Sequence, residues 1–296
     1  MRLADARQAL RRFYRRSLAA WLLALPAIVV FVVFKWYLTL LVIWETFRQI
    51  GLFGSSTWVG LANFQTLLTT PGFLGSVGST VAWVAVGLLM TVLPALALAL
   101  ALENPPAKAF WRAIYFVPGL FSWAMEGPIW VYLLTPDQGP IATLFRVAGV
   151  AEPNWLTAPS LIFFVLGALL LWQQGGFLAL FYLASLASVN QELLDAARVD
   201  GARRWRRFWW VVFPLLIPTV GVVTTVVLLQ TFSGFSELYT VTSAAVYNTT
   251  NILTLWIYNH GIVADQIGIG AAASLLLFLM TLVVTVIGLR RTESRI

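Results

Sequence analysis

The sequence predicts an all-α integral membrane protein with about six transmembrane helices: a five-helix core preceded by an N-terminal helix. Three observations predict it: the composition, the lengths of the apolar runs, and the alternation of arginine between loops. Apolar residues make up 60% of the 296 residues and charged residues 10%, against about 25% charged in soluble domains. Mean hydropathy is +0.84. So few charges cannot coat a soluble core of this size, and lipid has to cover much of the surface. The chain has no cysteine and one histidine, His260, which excludes disulfides and thiolate metal sites and leaves no imidazole cluster. The apolar run after the basic N-terminus is too long for a signal peptide, and no small-residue cleavage pattern follows it.

A helix needs about 20 apolar residues to cross a bilayer core. Six stretches meet that length: 18–45, 76–102, 110–134, 160–186, 211–235 and 270–290. The stretch 241–258 is a weaker match, because Asn248, Thr249, Thr250 and Asn251 interrupt it. Lysine and arginine then fall on alternate sides. The N-terminus, the loops after the second and fourth spans, and the C-terminus together hold sixteen; the loops after the first, third and fifth hold two; Lys35 lies within a span. The basic side is cytoplasmic, so both termini are expected inside. The net charge of +7 is thereby spread along a membrane surface, where it meets anionic lipid, and nucleic-acid binding, which needs one basic face, is excluded. No internal repeat stands out. The outer loops 46–75 and 135–159 hold Gly, Pro, Asn and Thr and are expected as compact turns. Residues 1–75 are expected as a basic tail, a first helix and its outer loop, and 76–296 as the core domain.

The most informative segment is the cytoplasmic loop 188–218 between spans 4 and 5. Ser188 and Gln191 have the spacing of a capping box. Leu193, Leu194, Ala196, Ala197 and Val199 give a narrow apolar face, and Gly201 is a natural left-handed stop. A short helix, a glycine turn and a second helix entering the bilayer are expected. Such a helix either lies flat on lipid, which Trp205, Trp209, Trp210 and the arginines suit, or fits a groove in a partner protein.

Asp195-Ala196-Ala197, three residues, Gly201, nine residues, then Val211-Val212-Phe213-Pro214 resembles the EAA loop of ABC importer permeases, whose pattern is Glu-Ala-Ala, three residues, Gly, nine residues, Ile-x-Leu-Pro. Every spacing is met; Asp195, Val211 and Phe213 replace Glu, Ile and Leu. Asp200-Gly201-Ala202 is typical of the carbohydrate branch. Leu25-Pro26-Ala27, Gly60-Leu61-Ala62-Asn63-Phe64, Pro118, Gly127-Pro128-Ile129-Trp130 and Gly268 to Ser274 are similar in order to further motifs of the sugar permeases. Two departures lie toward the outer side: Tyr37-Leu38 lacks the family's proline, and Thr242-Ser243-Ala244-Ala245 stands where a Gly-Gly-Gly-Pro segment is common.

This resemblance implies a permease subunit in a bacterial inner membrane that imports a sugar or sugar-like solute. It also implies a coupling helix carrying Asp195, Ala196, Ala197, Asp200, Gly201 and Pro214, seated in a cytoplasmic ATPase dimer. A second homologous permease and an external solute-binding protein complete the assembly. No Gly-x-x-x-x-Gly-Lys-[Ser/Thr] phosphate loop is present, so ATP and Mg are expected on the partner, with no cofactor and no catalytic residue in this chain.

Polar residues inside spans are costly and usually face a cavity or a partner. Glu126, mid-span, is either an interhelical partner or a solute contact. Trp172, Gln173 and Gln174, followed by Gly175-Gly176, offer amides for hydroxyls and an aromatic face for a pyranose, or amide bonding between helices. Ser233, Ser236 and Glu237 are weaker candidates. Lys35 snorkels to the surface or pairs with an inner carboxylate, and His260 reads as a solvated loop residue. A cation site would want several inward carboxylates and a phosphate site an inward arginine; only Glu126 and Glu237 are available, and no arginine lies mid-span, which favours a neutral polyol. Another solute of the same superfamily (glycerol phosphate, polyamine or amino acid) remains open. A secondary transporter would show matched broken helices, and none is evident.

Overall fold

The computed structural model describes residues 21–50, 56–103, 106, 108–242 and 251–293. The N-terminal arginines and Thr242-Ser243-Ala244-Ala245 beyond Thr242 lie outside them. The chain is built from α1 (Trp21–Glu45), a hairpin of β1 (Arg48–Ile50) and β2 (Ser56–Trp58), α2 (Ala62–Thr69), α3 (Phe73–Leu102) and α4 (Lys108–Phe116). Then follow α5 (Trp123–Leu134), α6 (Pro140–Val147), α7 (Pro159–Ala187), α8 (Gln191–Val199), α9 (Arg204–Ser233), α10 (Ser236–Thr242), α11 (Leu253–Ile257) and α12 (Ile267–Glu293).

Among the described residues five helices are long and apolar enough to cross a membrane: α1, α3, α7, α9 and α12. The expected span 110–134 is not continuous. It is split into α4 and α5 by a 3-10 turn at Val117–Leu120 and extended backbone at Phe121 and Ser122. The cause is local: Pro118 removes a backbone donor within the run, Gly119 weakens helix further, and Ser122 restarts it. The two halves together occupy the apolar run expected as the third crossing.

The core is a sandwich of α3, α7 and α9, extended by α5, α10 and α12. Trp83 on α3 is fully buried, and its indole N–H donates to the Thr231 carbonyl of α9 at 3.1 Å, satisfying the polar end of a large apolar ring. Toward one end Val92, Ala95 and Ala99 of α3 meet Leu178, Ala179 and Tyr182 of α7; toward the other Ile162, Leu166 and Leu169 meet Trp83 and Leu238. Small residues set the closest crossings, as expected where lipid is as apolar as leucine. A Cβ at Gly270 would lie 2.5 Å from the Gly261 Cα, so the end of the α11 segment and α12 touch backbone to backbone.

Helix α1 packs mainly on α12, and its spanning window has no buried residue. Two expectations about the longer connecting loops are corrected. Loop 46–75 is a hairpin plus α2, anchored by Asn63, whose side-chain amide donates to the carbonyls of Thr46 (2.8 Å) and Arg48 (2.9 Å). Loop 135–159 contains α6, with Pro140 at its first turn, where a missing N–H costs nothing.

Candidate functional site: an interrupted crossing and an exposed loop helix

Two regions gather the residues singled out from sequence. The first is the interruption of the third crossing. Phe121 leaves the helix with its carbonyl free, and Gln173 of α7 donates its side-chain amide to it at 3.3 Å. Gln174 donates to the Gln173 oxygen at 3.0 Å, and Gln230 of α9 donates to the Gln174 oxygen at 3.4 Å. This amide ladder ties three helical segments together beside a backbone that lacks its own helical bonds. Glycines allow the approach. A Cβ at Gly176 would collide with the Tyr115 carbonyl, and one at Gly119 would lie 3.1 Å from the Gln173 carbonyl.

Glu126 stands in the first turn of α5, one turn beyond the interruption, and is 1% exposed. Gln173 lies beside its carboxyl group, yet neither oxygen has a hydrogen bond of ordinary geometry, and the Gln230 oxygen is likewise unpartnered. A buried polar group without a hydrogen bond costs about 1–3 kcal/mol, and these oxygens are free to act as acceptors.

The structure thus brings Glu126, Gln173 and Gln174 together and adds Gln230. Trp172 points elsewhere: it is exposed and meets Trp130 edge to face at 5.8 Å. Ser233 is exposed, and Glu237 is buried with its carboxyl folded back over Gly234; among the described residues no hydrogen bond joins either to the ladder. Lys35 lies in a π-turn of α1 (Val32–Tyr37), lining with Ser274 and Phe278 a cleft of about 300 Å³ between α1 and α12. His260 is not a freely solvated side chain. It is half-buried and stacked on Trp256 at 3.9 Å.

The second region is α8 and its turn. Asn190, not Ser188, caps the helix: its side-chain oxygen accepts from the Glu192 N–H at 2.9 Å. Ser188 instead donates to the Ser185 carbonyl at the end of α7, so the expected capping box does not form. The C-terminus closes as a Schellman motif. The Ala202 N–H reaches the Ala197 carbonyl (2.9 Å), the Gly201 N–H reaches the Arg198 carbonyl (3.0 Å), and Gly201 has φ +75°, the left-handed geometry that motif requires. Asp195 and Ala196 are exposed, and Asp195 pairs with Arg198 at 2.7 Å. Helix α8 buries no residue, and Val199 at its end is 88% exposed. After Arg204–Arg207 the backbone passes through a π-turn at Phe208–Val212 before Pro214, which accommodates a proline ring that would clash with a regular preceding turn.

Helix α8 is thus a short helix with no buried side chain, held at both ends by specific caps. Residues 92–291, spanning most of the interrupted bundle and all of this loop, match the family described as "Binding-protein-dependent transport system inner membrane component". The chain belongs to that family. It is the permease of an ABC importer, a multi-pass membrane subunit. A glycerol-3-phosphate transport system permease protein of Brucella abortus is 34% identical, over 96% of this chain and 97% of its own length. A probable starch degradation products transport permease of Thermoanaerobacterium thermosulfurigenes is 26% identical over 96% and 97%. The permease fold also superposes on a chain of a bacterial alginate-importing ABC transporter with a TM-score of 0.84 at 23% identity, covering 96% and 98%.

Proposed function

We propose that this permease forms one half of a solute pathway, the other half being a second homologous permease. In this reading α8 seats in a cytoplasmic ATPase dimer and an external binding protein delivers the solute. ATP and Mg bind to the ATPase partner; this chain supplies the path and the coupling helix. Both termini are on the cytoplasmic side, which follows from the arginine distribution and the positive-inside rule. The observation that carries the pathway is the interruption at 117–122. Non-helical backbone at membrane depth is tolerated only within protein or beside a water-filled cavity, and the unpartnered oxygens of Glu126 and Gln230 lie at that same place.

The solute we infer is polyhydroxylated and uncharged. Amide and carboxyl oxygens accept from sugar hydroxyls, and no arginine lies mid-span to neutralise a phosphate. A glycerol phosphate is the second reading, favoured by the glycerol-3-phosphate permeases of Brucella abortus and Agrobacterium fabrum at 34% and 31% identity. The test is to reconstitute the complete importer and measure uptake and ATP hydrolysis with a maltodextrin and with glycerol 3-phosphate, each with its binding protein. Stimulation by the oligosaccharide alone supports the uncharged solute; stimulation by the phosphate alone replaces it with the second reading. Solute transport by this chain without an ATPase would sink both.

A further inference from the structure

The described residues enclose a second cavity, far from the interruption, at the end of the bundle that carries the arginines. It measures about 400 Å³ and lies between the ends of α3 and α7, the face of α8, and the start of α9. Its floor is apolar, with Leu100, Leu186 and Val212, and Leu194 of α8 closes one side. Its rim carries Arg204, Arg207 and Trp205.

Three features point to one kind of occupant. Arg204 and Arg207 are three residues apart, which places both on one helical face, and among the described residues neither forms an ion pair. Glu103 is the only carboxylate of the lining, so the rim is cationic in excess. Trp205 and Trp210 are 72% and 76% exposed, and exposed tryptophan marks the depth where headgroups meet acyl chains. A cavity with a cationic, aromatic rim and a hydrocarbon floor, opening at that depth, is complementary to a molecule with an anionic head and an apolar tail.

We propose that this cavity is a binding site for one anionic phospholipid, whose phosphate lies against Arg204 and Arg207 and whose acyl chain fills the space over Leu100, Leu186 and Val212. Guanidinium groups suit a phosphate because their donors are fixed and planar. Because Leu194 belongs to α8, the bound lipid also braces the exposed loop helix. That helix buries no residue of its own, so a lipid behind it supplies apolar contact that the chain lacks. The site stands on the membrane reading alone and does not depend on the solute.

The test uses the assembled importer in nanodiscs of phosphatidylcholine with or without phosphatidylglycerol, with retained lipid counted by native mass spectrometry. The wild type is expected to hold one phosphatidylglycerol that the double variant Arg204→Gln/Arg207→Gln loses, with affinity falling roughly thirtyfold, two cations' worth of attraction. The control Arg203→Gln/Arg206→Gln removes equal charge from the same segment outside the lining and is expected to keep the lipid. Leu186→Trp fills the floor with every arginine intact and is expected to expel the lipid also, which keeps the test valid if the arginine variant assembles poorly. Equal loss in both arginine pairs would reduce the effect to diffuse surface charge and overturn the site. So would retention in Leu186→Trp, or a segment of the ATPase subunit occupying the cavity in the assembled complex.

Discussion

Substitution of Gly201 tests the coupling assignment most directly, because the structure separates strain from crowding at that position. Its φ is +75°, and a Cβ built there meets nothing within 4 Å. A side chain therefore has no collision to relieve, and its whole cost is the left-handed backbone, about 1–2 kcal/mol for an ordinary L-residue. That lowers the population of the capped turn roughly 5- to 30-fold. If α8 must hold this geometry to enter the ATPase, apparent association falls by a similar factor. Asparagine tolerates the left-handed region and a β-branched residue does not. The expected order of ATPase pull-down and solute uptake is therefore wild type, then Gly201→Asn, then Gly201→Ala, then Gly201→Val, with membrane levels equal because the residue precedes span α9. Full pull-down and full uptake in Gly201→Val would refute the reasoning: the turn would not position α8, and the loop would be a lipid-resting helix.

Other outcomes follow from the same geometry. Glu126→Gln and Glu126→Ala are both expected at near-normal yield with altered transport affinity, since Gln173 beside the carboxyl group keeps its bond to Phe121 in either variant; a drop in yield of the assembled complex for Ala alone would make Glu126 structural. Gly176→Ala forces a methyl into the Tyr115 carbonyl, and its melting midpoint in detergent should fall by several degrees; an unchanged midpoint would contradict the packing of α7 on the interruption. Gln230→Leu removes the last donor of the amide ladder, and is expected to weaken uptake more than stability, read by comparing transport with thermal midpoint. Purified alone, the chain should hydrolyse no ATP, and should copurify in mild detergent with an ATPase and a second permease.

The positions of the membrane helices were legible because hydropathy over twenty residues is a strong constraint: α3, α7, α9 and α12 begin and end within a turn or two of the apolar runs. The interruption was not, because Phe116, Val117, Leu120 and Phe121 are as apolar as any span and a sliding average cannot see that Pro118-Gly119 breaks the backbone within it. The true cap of α8 escaped for a different reason. Ser188 and Asn190 are both good capping residues two positions apart, and what separates them is that Ser188 closes the end of α7, its N–H and hydroxyl both on the Ser185 carbonyl. Gln230 carried a usable signal, a lone amide in an apolar run. Its pairing with Gln174 spans 56 residues and exists only once α7 and α9 pack. The strands of the β1–β2 hairpin are three residues each, too short for a period of two to register.

The interruption and α8 share an element, and that bears on how one end of the bundle can affect the other. Helix α7 carries Gln173, Gln174 and Gly176 against the interruption in its middle, and ends at Ala187, three residues before the Asn190 cap of α8. Its remaining length is held against α3 by Leu178, Ala179 and Tyr182, all fully buried, with the Tyr182 hydroxyl on the Val92 carbonyl at 3.3 Å. Close-packed interiors shift between discrete arrangements rather than deforming smoothly. If a partner displaces α8, as proposed above, a rigid α7 would carry that displacement to the amide ladder. There the bonds to Phe121 and Gln230, at 3.3 and 3.4 Å, are the longer hydrogen bonds of the ladder and the ones most easily broken. On this argument the ladder is the element that rearranges, and Gln173→Leu should uncouple ATP hydrolysis from uptake while leaving ATPase association intact. Parallel loss of association and uptake in that variant would place the moving joint elsewhere.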